Sequence, residues 1–309
     1  MIHIAYCFDR NYRQHAAASI ASLLLNCGVD GGQLHIHLVT DATDADFEGR
    51  LDGFRRAFKA RIDVVPISEE QIAALSVLPK AEGYVSYMAA ATWIRLLLPD
   101  VLPHVNRLLY LDADTIVTGD IAQLWSIDLR DAPLGGVRDA MAKAMCGHLG
   151  VPEYVNAGVL LIDLAQWRTE KLSEAAIACA HRESARIRYV DQCVINLLLR
   201  GRIRLLPPRW NMFATRRNAE QDFSSAGVIH FITEDKPWQA WYEHPAGQLY
   251  WRYLEVSPWR GAQPQAPATA AQMVRLARLT RSRDQSARIA ALYESALERI
   301  HASRQRSVS

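Results

Sequence analysis

Apolar positions along the chain fall into short runs separated by amphipathic stretches. Ile2–Phe8 (IHIAYCF) and Leu34–Thr40 (LHIHLVT) read as strands, the second with strict alternation. Between them, Ala16–Asn26 places Ile20, Leu23 and Leu24 on one helical face. Phe47–Ala60 has helical spacing, and Arg61–Val65 predicts a third strand. Met88–Leu98 reads as a helix ended by Pro99, followed by the apolar strand Arg107–Leu111. Strands alternating with helices predict an α/β fold with a mostly parallel central sheet covered on both faces. Ligands of such sheets bind beyond the carboxyl ends of the strands. Asp9 and Asp112 each follow a strand at such an end.

The second half is less regular. Ala157–Asp163 and Gly227–Phe231 read as strands, and Cys193–Leu199 continues a helix opened near Asp191. Pro258, Gly261, Pro264 and Pro267 mark a linker. Beyond it Arg275, Arg278 and Arg281 sit three apart, and Ile289, Leu292, Tyr293, Ala296 and Ile300 recur at helical spacing. The expected organisation is a catalytic domain over 1–257, a linker over 258–270 and a basic amphipathic helical tail over 271–309.

Composition narrows the class. Of 309 residues half are apolar or aromatic, enough for a sizeable core. The net charge of +2 conceals a split: 271–309 carries eight arginines against three acidic residues, so the rest of the chain is mildly acidic. A basic amphipathic tail suits an anionic membrane surface; no nucleic-acid partner is expected. The number of cysteines, five, is odd and none pair as C-x-x-C, which argues against a zinc site or a disulfide framework and for a reducing compartment. The opening residues read as a strand, not a signal peptide. The apolar stretch Met88–Leu102 is interrupted by Arg95, Pro99 and Asp100 and is too short to span a bilayer. No G-x-G-x-x-G follows a strand, which disfavours a NAD-dependent dehydrogenase.

The most informative segment is Arg107–Asp114 (RLLYLDAD). Two carboxylates one residue apart at a strand end repel each other, and a divalent cation relieves that repulsion. The triplet is not specific by itself: Asp44-Ala45-Asp46 repeats it at what reads as the start of an exposed helix. A polar loop capping a turn would explain Asp112 and Asp114 equally well on pattern alone.

Several ordered motifs surround that triplet. They are Phe8-Asp9-Arg10-Asn11-Tyr12; Ala91-Thr92-Trp93-Ile94-Arg95-Leu96; Leu109 to Asp114; Asn156-Ala157-Gly158-Val159-Leu160-Leu161; Asp191-Gln192; and His230-Phe231, with Lys236-Pro237-Trp238 shortly after. In this order, from Met1 to about Trp241, the chain resembles the family 8 glycosyltransferases, retaining enzymes that include lipopolysaccharide galactosyl- and glucosyltransferases. The resemblance implies a GT-A-like nucleotide-binding domain that binds a UDP-hexose, UDP-glucose or UDP-galactose. It implies Mn²⁺, with Mg²⁺ as the alternative, on Asp112, Asp114 and His230. Cys7, Asp9, Asn11 and Tyr12 would hold uridine and ribose, and Arg95, Ala113 and Asn156 would line the donor. Lys236 would meet the diphosphate, and Asp191 and Gln192 would stand at the transferred sugar. The implied acceptor is a glycan or glycolipid, lipopolysaccharide among the candidates. The implied location is the cytoplasm, peripheral to the inner membrane.

The residues also admit plainer roles. Asp9 and Asn11 could simply shape a turn, Asp191 could be a helix N-cap, and His230 could be hydrogen-bonded to backbone. Two departures from the family pattern stand out: Cys193 replaces a third aspartate, and Thr233 replaces a glycine after the histidine, beside acidic Glu234 and Asp235. A sugar-phosphate nucleotidyltransferase would open with a glycine-rich loop, and Phe8–His15 has no glycine. A non-catalytic nucleotide-sugar or glycan binder would not need an intact set of Asp112, Asp114, His230 and Lys236.

Overall fold

The computed structural model describes residues 1–41, 43–76, 78 and 92–281. The chain forms two compact units of interleaved segments. Met1–Arg13, Val29–Ala113 and Ala122–Pro208 make the first; Gln14–Gly28, Asp114–Ile121 and the chain from Arg209 onward make the second.

The first unit is a seven-stranded sheet. Its strands are β1 (Ile2–Phe8), β2 (Leu34–Thr40), β3 (Arg61–Pro66), β4 (Arg107–Leu111), β6 (Leu134–Arg138), β7 (Val155–Asp163) and β8 (Ile203–Leu205), with β5 (Thr115–Val117) lying elsewhere. The order is β3-β2-β1-β4-β7-β6-β8. All neighbours run parallel except β7, which is antiparallel to both β4 and β6. The α/β class and the mostly parallel sheet are as the sequence pattern predicts. β2 is buried at every position, so its alternation of histidines with aliphatics does not mark a wet face. One side of the sheet buries Leu108, Tyr110, Leu160 and Ile162 with Trp93, Leu96, Trp167 and Ala176 from the covering helices. Each of these leucine and isoleucine side chains contributes about 1.5–3 kcal/mol on leaving water. Because β1 and β4 are adjacent and parallel, with Ala5 opposite Tyr110, Asp9 and Asp112 emerge at the same sheet edge.

At the other end of these strands, His3 stands opposite His35, and His37 opposite Asp63. Burial lowers the basicity of His3, and carries that of His37 down to about 3, so both imidazoles are neutral.

The second unit holds a small sheet in the order β5-β10-β9, from Thr115–Val117, Val228–His230 and Met212–Phe213. Helix Arg13–Asn26 is stitched to β5. Ser19 Oγ meets Thr115 Oγ1 at 3.0 Å, the Val117 amide donates to Ser22 Oγ at 2.8 Å, and Asn26 Nδ2 donates to Val117 O at 2.8 Å. Gly119 is required by close approach: a Cβ there would lie 2.8 Å from Gly227 Cα, and Thr118 and Gly119 both donate to Gly227 O. That contact fixes the register of β10 on β5, with His230 opposite Thr115.

The structure departs from the sequence expectations at several elements. Pro99 does not end a helix; it sits in the first turn of the short helix Leu98–Val101, where its missing N–H is not needed. Residues 88–91 of the expected helix, with Ala91 of the second motif, lie outside the described residues, as does the tail beyond Arg281. Before that point the tail is helical over Ala270–Arg281. Among the described residues, no helix is long and apolar enough to cross a membrane.

Candidate active site

In the first unit the chemistry gathers around Arg95. Its side chain is buried, and its Nη1 donates to Ala157 O at 2.5 Å. Its Nη2 lies 3.1 Å from Asp112 Oδ1, and its Nε 2.9 Å from Asp191 Oδ2. The Nε–H is directed at Thr92 O, 3.2 Å away, so the approach to Asp191 is an ion pair without a hydrogen bond. Asp191 Oδ2 therefore has no hydrogen-bond donor among the described residues, although the carboxylate is 2% exposed. Burial, together with the charge of Asp112, pushes the Asp191 carboxyl up to about 7 against the pull of Arg95. Tyr110 O–H donates to Asp112 Oδ1 at 2.6 Å, and its ring lies under the Arg95 guanidinium.

Asp191 is not an N-cap. Helix Val190–Leu198 starts before it, after Tyr189, with no side-chain cap. Val190 holds φ 40°, a left-handed conformation that costs a β-branched residue of order 1–3 kcal/mol. The strain sits directly before Asp191-Gln192. Gln192 Oε1 accepts from Asn156 Nδ2 and from the Ala157 amide, both at 3.1 Å, and its Nε2 donates to Asp139 Oδ2 at 3.0 Å. Asn156 Oδ1 accepts from the Gly158 amide at 2.9 Å. Asp139 therefore organises both amide side chains. No motif marks Asp139 in the sequence, and Tyr110, though inside the Leu109–Asp114 motif, reads there as strand core. Cys193 packs inside, its sulfur within 3.2 Å of Tyr154 O–H and of the Tyr189 amide.

Where β1 ends, Asp9 Oδ1 accepts from the Asn11 and Tyr12 amides at 2.8 and 3.3 Å, capping a short turn. Burial raises its carboxyl above the ordinary value, against those two bonds. In that turn Asn11 is exposed and Tyr12 half-buried, and Cys7 is buried with its thiol held neutral by the loss of water.

The second unit carries the other charged group. Asp114 Oδ1 lies 3.3 Å from His230 Nε2, and Asp114 Oδ2 accepts from Lys236 Nζ at 2.6 Å. Lys236 Nζ also donates to Phe231 O at 2.6 Å. Burial opposes ionisation of Asp114, but Lys236 and His230 overcome it and hold the carboxyl far below the usual carboxylate range. His230 Nδ1 faces Asn211 Oδ1 at 3.0 Å. An amide oxygen only accepts, so a proton sits on Nδ1, and Nε2 is the ring nitrogen directed at Asp114. Asn211 is another residue that no sequence pattern marks. Asp235, one of the two acidic residues beside Thr233, is paired with Arg275 of helix Ala270–Arg281 at 2.7 Å.

The candidate residues thus assemble as Arg95, Asp112, Asn156, Asp191 and Gln192 in the first unit, beside the turn from Cys7 to Tyr12. Asp114, His230 and Lys236 assemble in the second. Ala113, buried, is the last residue before the chain passes from one unit to the other.

Comparison with known proteins gives this arrangement a family. The model of glycosyl transferase family 8 matches residues 3–242. Lipopolysaccharide 1,2-glucosyltransferase of Escherichia coli K12 is 30% identical over 284 residues, 85% of this chain and 80% of that protein. Lipopolysaccharide 1,3-galactosyltransferase of Salmonella typhimurium is 27% identical, over 88% of this chain and 83% of that protein. The crystal structure of the galactosyltransferase LgtC with donor and acceptor sugar analogs superimposes with a TM-score of 0.71, covering 89% of this chain and 100% of that one, at 19% identity, a likeness of fold. With the family match covering most of the chain and the α/β sheet of the first unit built as in these GT-A enzymes, the protein belongs to glycosyl transferase family 8 and is a glycosyltransferase.

Proposed function

We propose that the protein moves a hexose, glucose or galactose, from a UDP-sugar to a hydroxyl of a glycan acceptor, with retention at the anomeric carbon. The observation that carries the reading is Asp191: a buried carboxylate oxygen without a hydrogen-bond donor, beside a strained backbone and an ordered amide pair. A hydroxyl of the transferred sugar is the donor it lacks. The glucosyl- and galactosyltransferases among the relatives support a hexose, and their lipopolysaccharide products support a cell-surface glycan as acceptor.

Asp112, Asp114 and His230 would hold a divalent cation, for which carboxylate oxygens and one imidazole nitrogen suit Mn²⁺. The fit rests on His230, whose Nε2 is turned to Asp114 by the bond at Nδ1, and on Asp112 preceding Asp114 by two residues. Bound there, the cation would neutralise charge on the departing diphosphate. Lys236 has three protons and gives two to Asp114 and Phe231, so the third is available to a phosphate oxygen. As the C1–O bond to UDP breaks, the acceptor oxygen bonds C1 from the same face, and its proton passes to the leaving phosphate oxygen. Asp191 and Asn156 steady the sugar, while Gln192 and Asp139 hold Asn156 in place.

The deciding experiment incubates the protein with UDP-glucose or UDP-galactose and Mn²⁺, and follows donor consumption and product stereochemistry by NMR. Mn²⁺-dependent turnover with unchanged anomeric configuration is expected; an inverted product, or turnover only of a nucleoside triphosphate with a sugar phosphate, overturns the reading.

The basic segment 271–309 is proposed to hold the enzyme on an anionic membrane surface at the cytoplasmic face. Arg275 has a different task, since it neutralises Asp235 next to Lys236. Arg275→Ala is expected to raise the KM for the UDP-sugar about 3- to 10-fold with kcat little changed, because it leaves Asp235 only the longer contact to Arg216 at 3.9 Å and so adds negative charge near the diphosphate, worth about 1 kcal/mol near a surface. Steady-state kinetics at low and high salt check this; the increase should shrink with salt.

A further inference from the structure

We propose that His3, His35 and His37 form a zinc site at the amino ends of β1 and β2, separate from the donor site. The three side chains each offer a ligand atom, and these atoms lie within 4.8 Å of one another. Parallel pairing creates the group. His3 is registered against His35, and His37 lies two residues further along the same strand, so all three project from one face of the sheet. His3 Nδ1 and His37 Nε2 are 3.0 Å apart. Two nitrogens bound to one tetrahedral zinc at about 2.0–2.1 Å would sit about 3.3 Å apart, so a small ring movement admits the ion.

The third histidine already has the partner that a metal-bound imidazole needs. His35 Nε2 lies 2.7 Å from Asp63 Oδ2 on β3. A proton on Nε2 donated to that carboxylate leaves Nδ1 as the ligand, the carboxylate–histidine–metal arrangement that orients zinc ligands and raises their basicity. Asp63 is half exposed at the sheet end and gives a route from solvent. Two cations oppose the site: the terminal ammonium of Met1, felt by His3, and Arg61, whose guanidinium is turned onto the same Asp63 oxygen at 3.1 Å. The absence of a C-x-x-C pair argued against zinc in the sequence; the ligands here are imidazoles, which that pattern does not report. Three nitrogens with an open fourth position select Zn²⁺ or Co²⁺ over Mn²⁺, which prefers oxygen. Six residues of extended strand separate His3 from Asp9, about 20 Å, so the ion does not touch the donor. It would cross-link β1 and β2 in register.

The test uses the full chain with Zn²⁺ or Co²⁺ alone. Zinc retained after gel filtration, measured by mass spectrometry, is expected at about one per chain in the wild type and in Asp114→Asn. His3→Gln should lose it, and Asp63→Asn should bind it about 10- to 100-fold more weakly. Co²⁺ should give the intense visible bands of four-coordinate nitrogen ligation in wild type and in Asp114→Asn. Zinc held equally by wild type and His3→Gln, zinc lost in Asp114→Asn, or a weak octahedral cobalt spectrum in the wild type would each overturn the proposal. Since Asp114→Asn removes the other candidate ion, failure here is distinguishable from failure of the proposed transfer reaction.

Discussion

Asp114→Asn should lower kcat/KM for the UDP-sugar by about 10³-fold or more while leaving a folded protein, because Asp114 is asked to stabilise charge that develops only as the diphosphate leaves. The amide keeps the shape and an oxygen acceptor for Lys236 Nζ, 2.6 Å away in the native side chain. Asp114→Ala is harsher. It strands a buried ammonium whose remaining partner is Phe231 O, and breaking one half of a buried pair costs about 3–5 kcal/mol. Asp112→Ala should abolish Mn²⁺-dependent UDP binding in calorimetry; unchanged affinity would remove Asp112 from the proposed cation site. The pH dependence has a definite sign. The folded Asp114 carboxyl lies far below its ordinary 3.8, so its stabilisation is present in full above that value. It is lost only as pH falls below about 4, because there the unfolded chain takes up a proton that the native site refuses. Acid unfolding of the wild type and Asp114→Asn should therefore converge at low pH and differ at neutral pH. A constant difference across the range would show that the carboxylate is not ionised in the native site.

The same region shows what a single sequence can carry. The strand RLLYL and the two carboxylates after it were legible because an apolar run stops abruptly at charge, and the structure places Asp112 at a strand end of a parallel sheet. The second triplet was separable by context. Asp44 Oδ1 accepts from the Phe47 amide at 2.9 Å and caps an exposed helix, Ala45–Phe58. Order along the chain supplied the rest, since Asn156, Asp191 and His230 carry no chemical pattern of their own. The residues that were missed share a physical cause. Asn211 and Asp139 act on their neighbours across 19 and 17 or more residues, a relation that pairing in space creates and local periodicity does not encode. The small sheet of β5, β9 and β10 was legible only at Val228–His230, because strands of two or three residues are too short to show alternation. Pro99 misled for a related reason: its missing N–H breaks a helix only from an interior position, and here it lies in the first turn of Leu98–Val101, with Leu98 before it helical against the usual preference.

Arg95→Met should cost both activity and stability, and the two losses should respond to pH in ways that identify the cause. The methionine keeps the apolar stem over Tyr110 and removes the charge that lies 3.1 Å from Asp112 and 2.9 Å from Asp191. Loss of a buried partner of this kind costs about 3–5 kcal/mol. In the wild type, burial has already raised the Asp191 carboxyl to about 7. The native site thus binds this proton more tightly than the unfolded chain does, and the ionised form opposes folding. That penalty is complete above about pH 7 and fades as pH falls from 7 towards 4. Without Arg95 the carboxyl should rise further, so the variant should be least stable in mildly alkaline solution and recover on acidification, opposite in direction to the behaviour of Asp114. Thermal melts between pH 5 and 9 measure this directly. Transfer that uses the Asp191 carboxylate as an acceptor should show a wild-type acidic limb near pH 7, displaced to higher pH in Arg95→Met, with kcat/KM at pH 7 lowered by about 10²-fold or more. Arg95→Lys keeps the charge but cannot span Asp112, Asp191 and Ala157 O at once, so it should restore most of the pH profile and little of the rate. An acidic limb that stays fixed in all three proteins would place the titrating group elsewhere and leave Asp191 a structural residue.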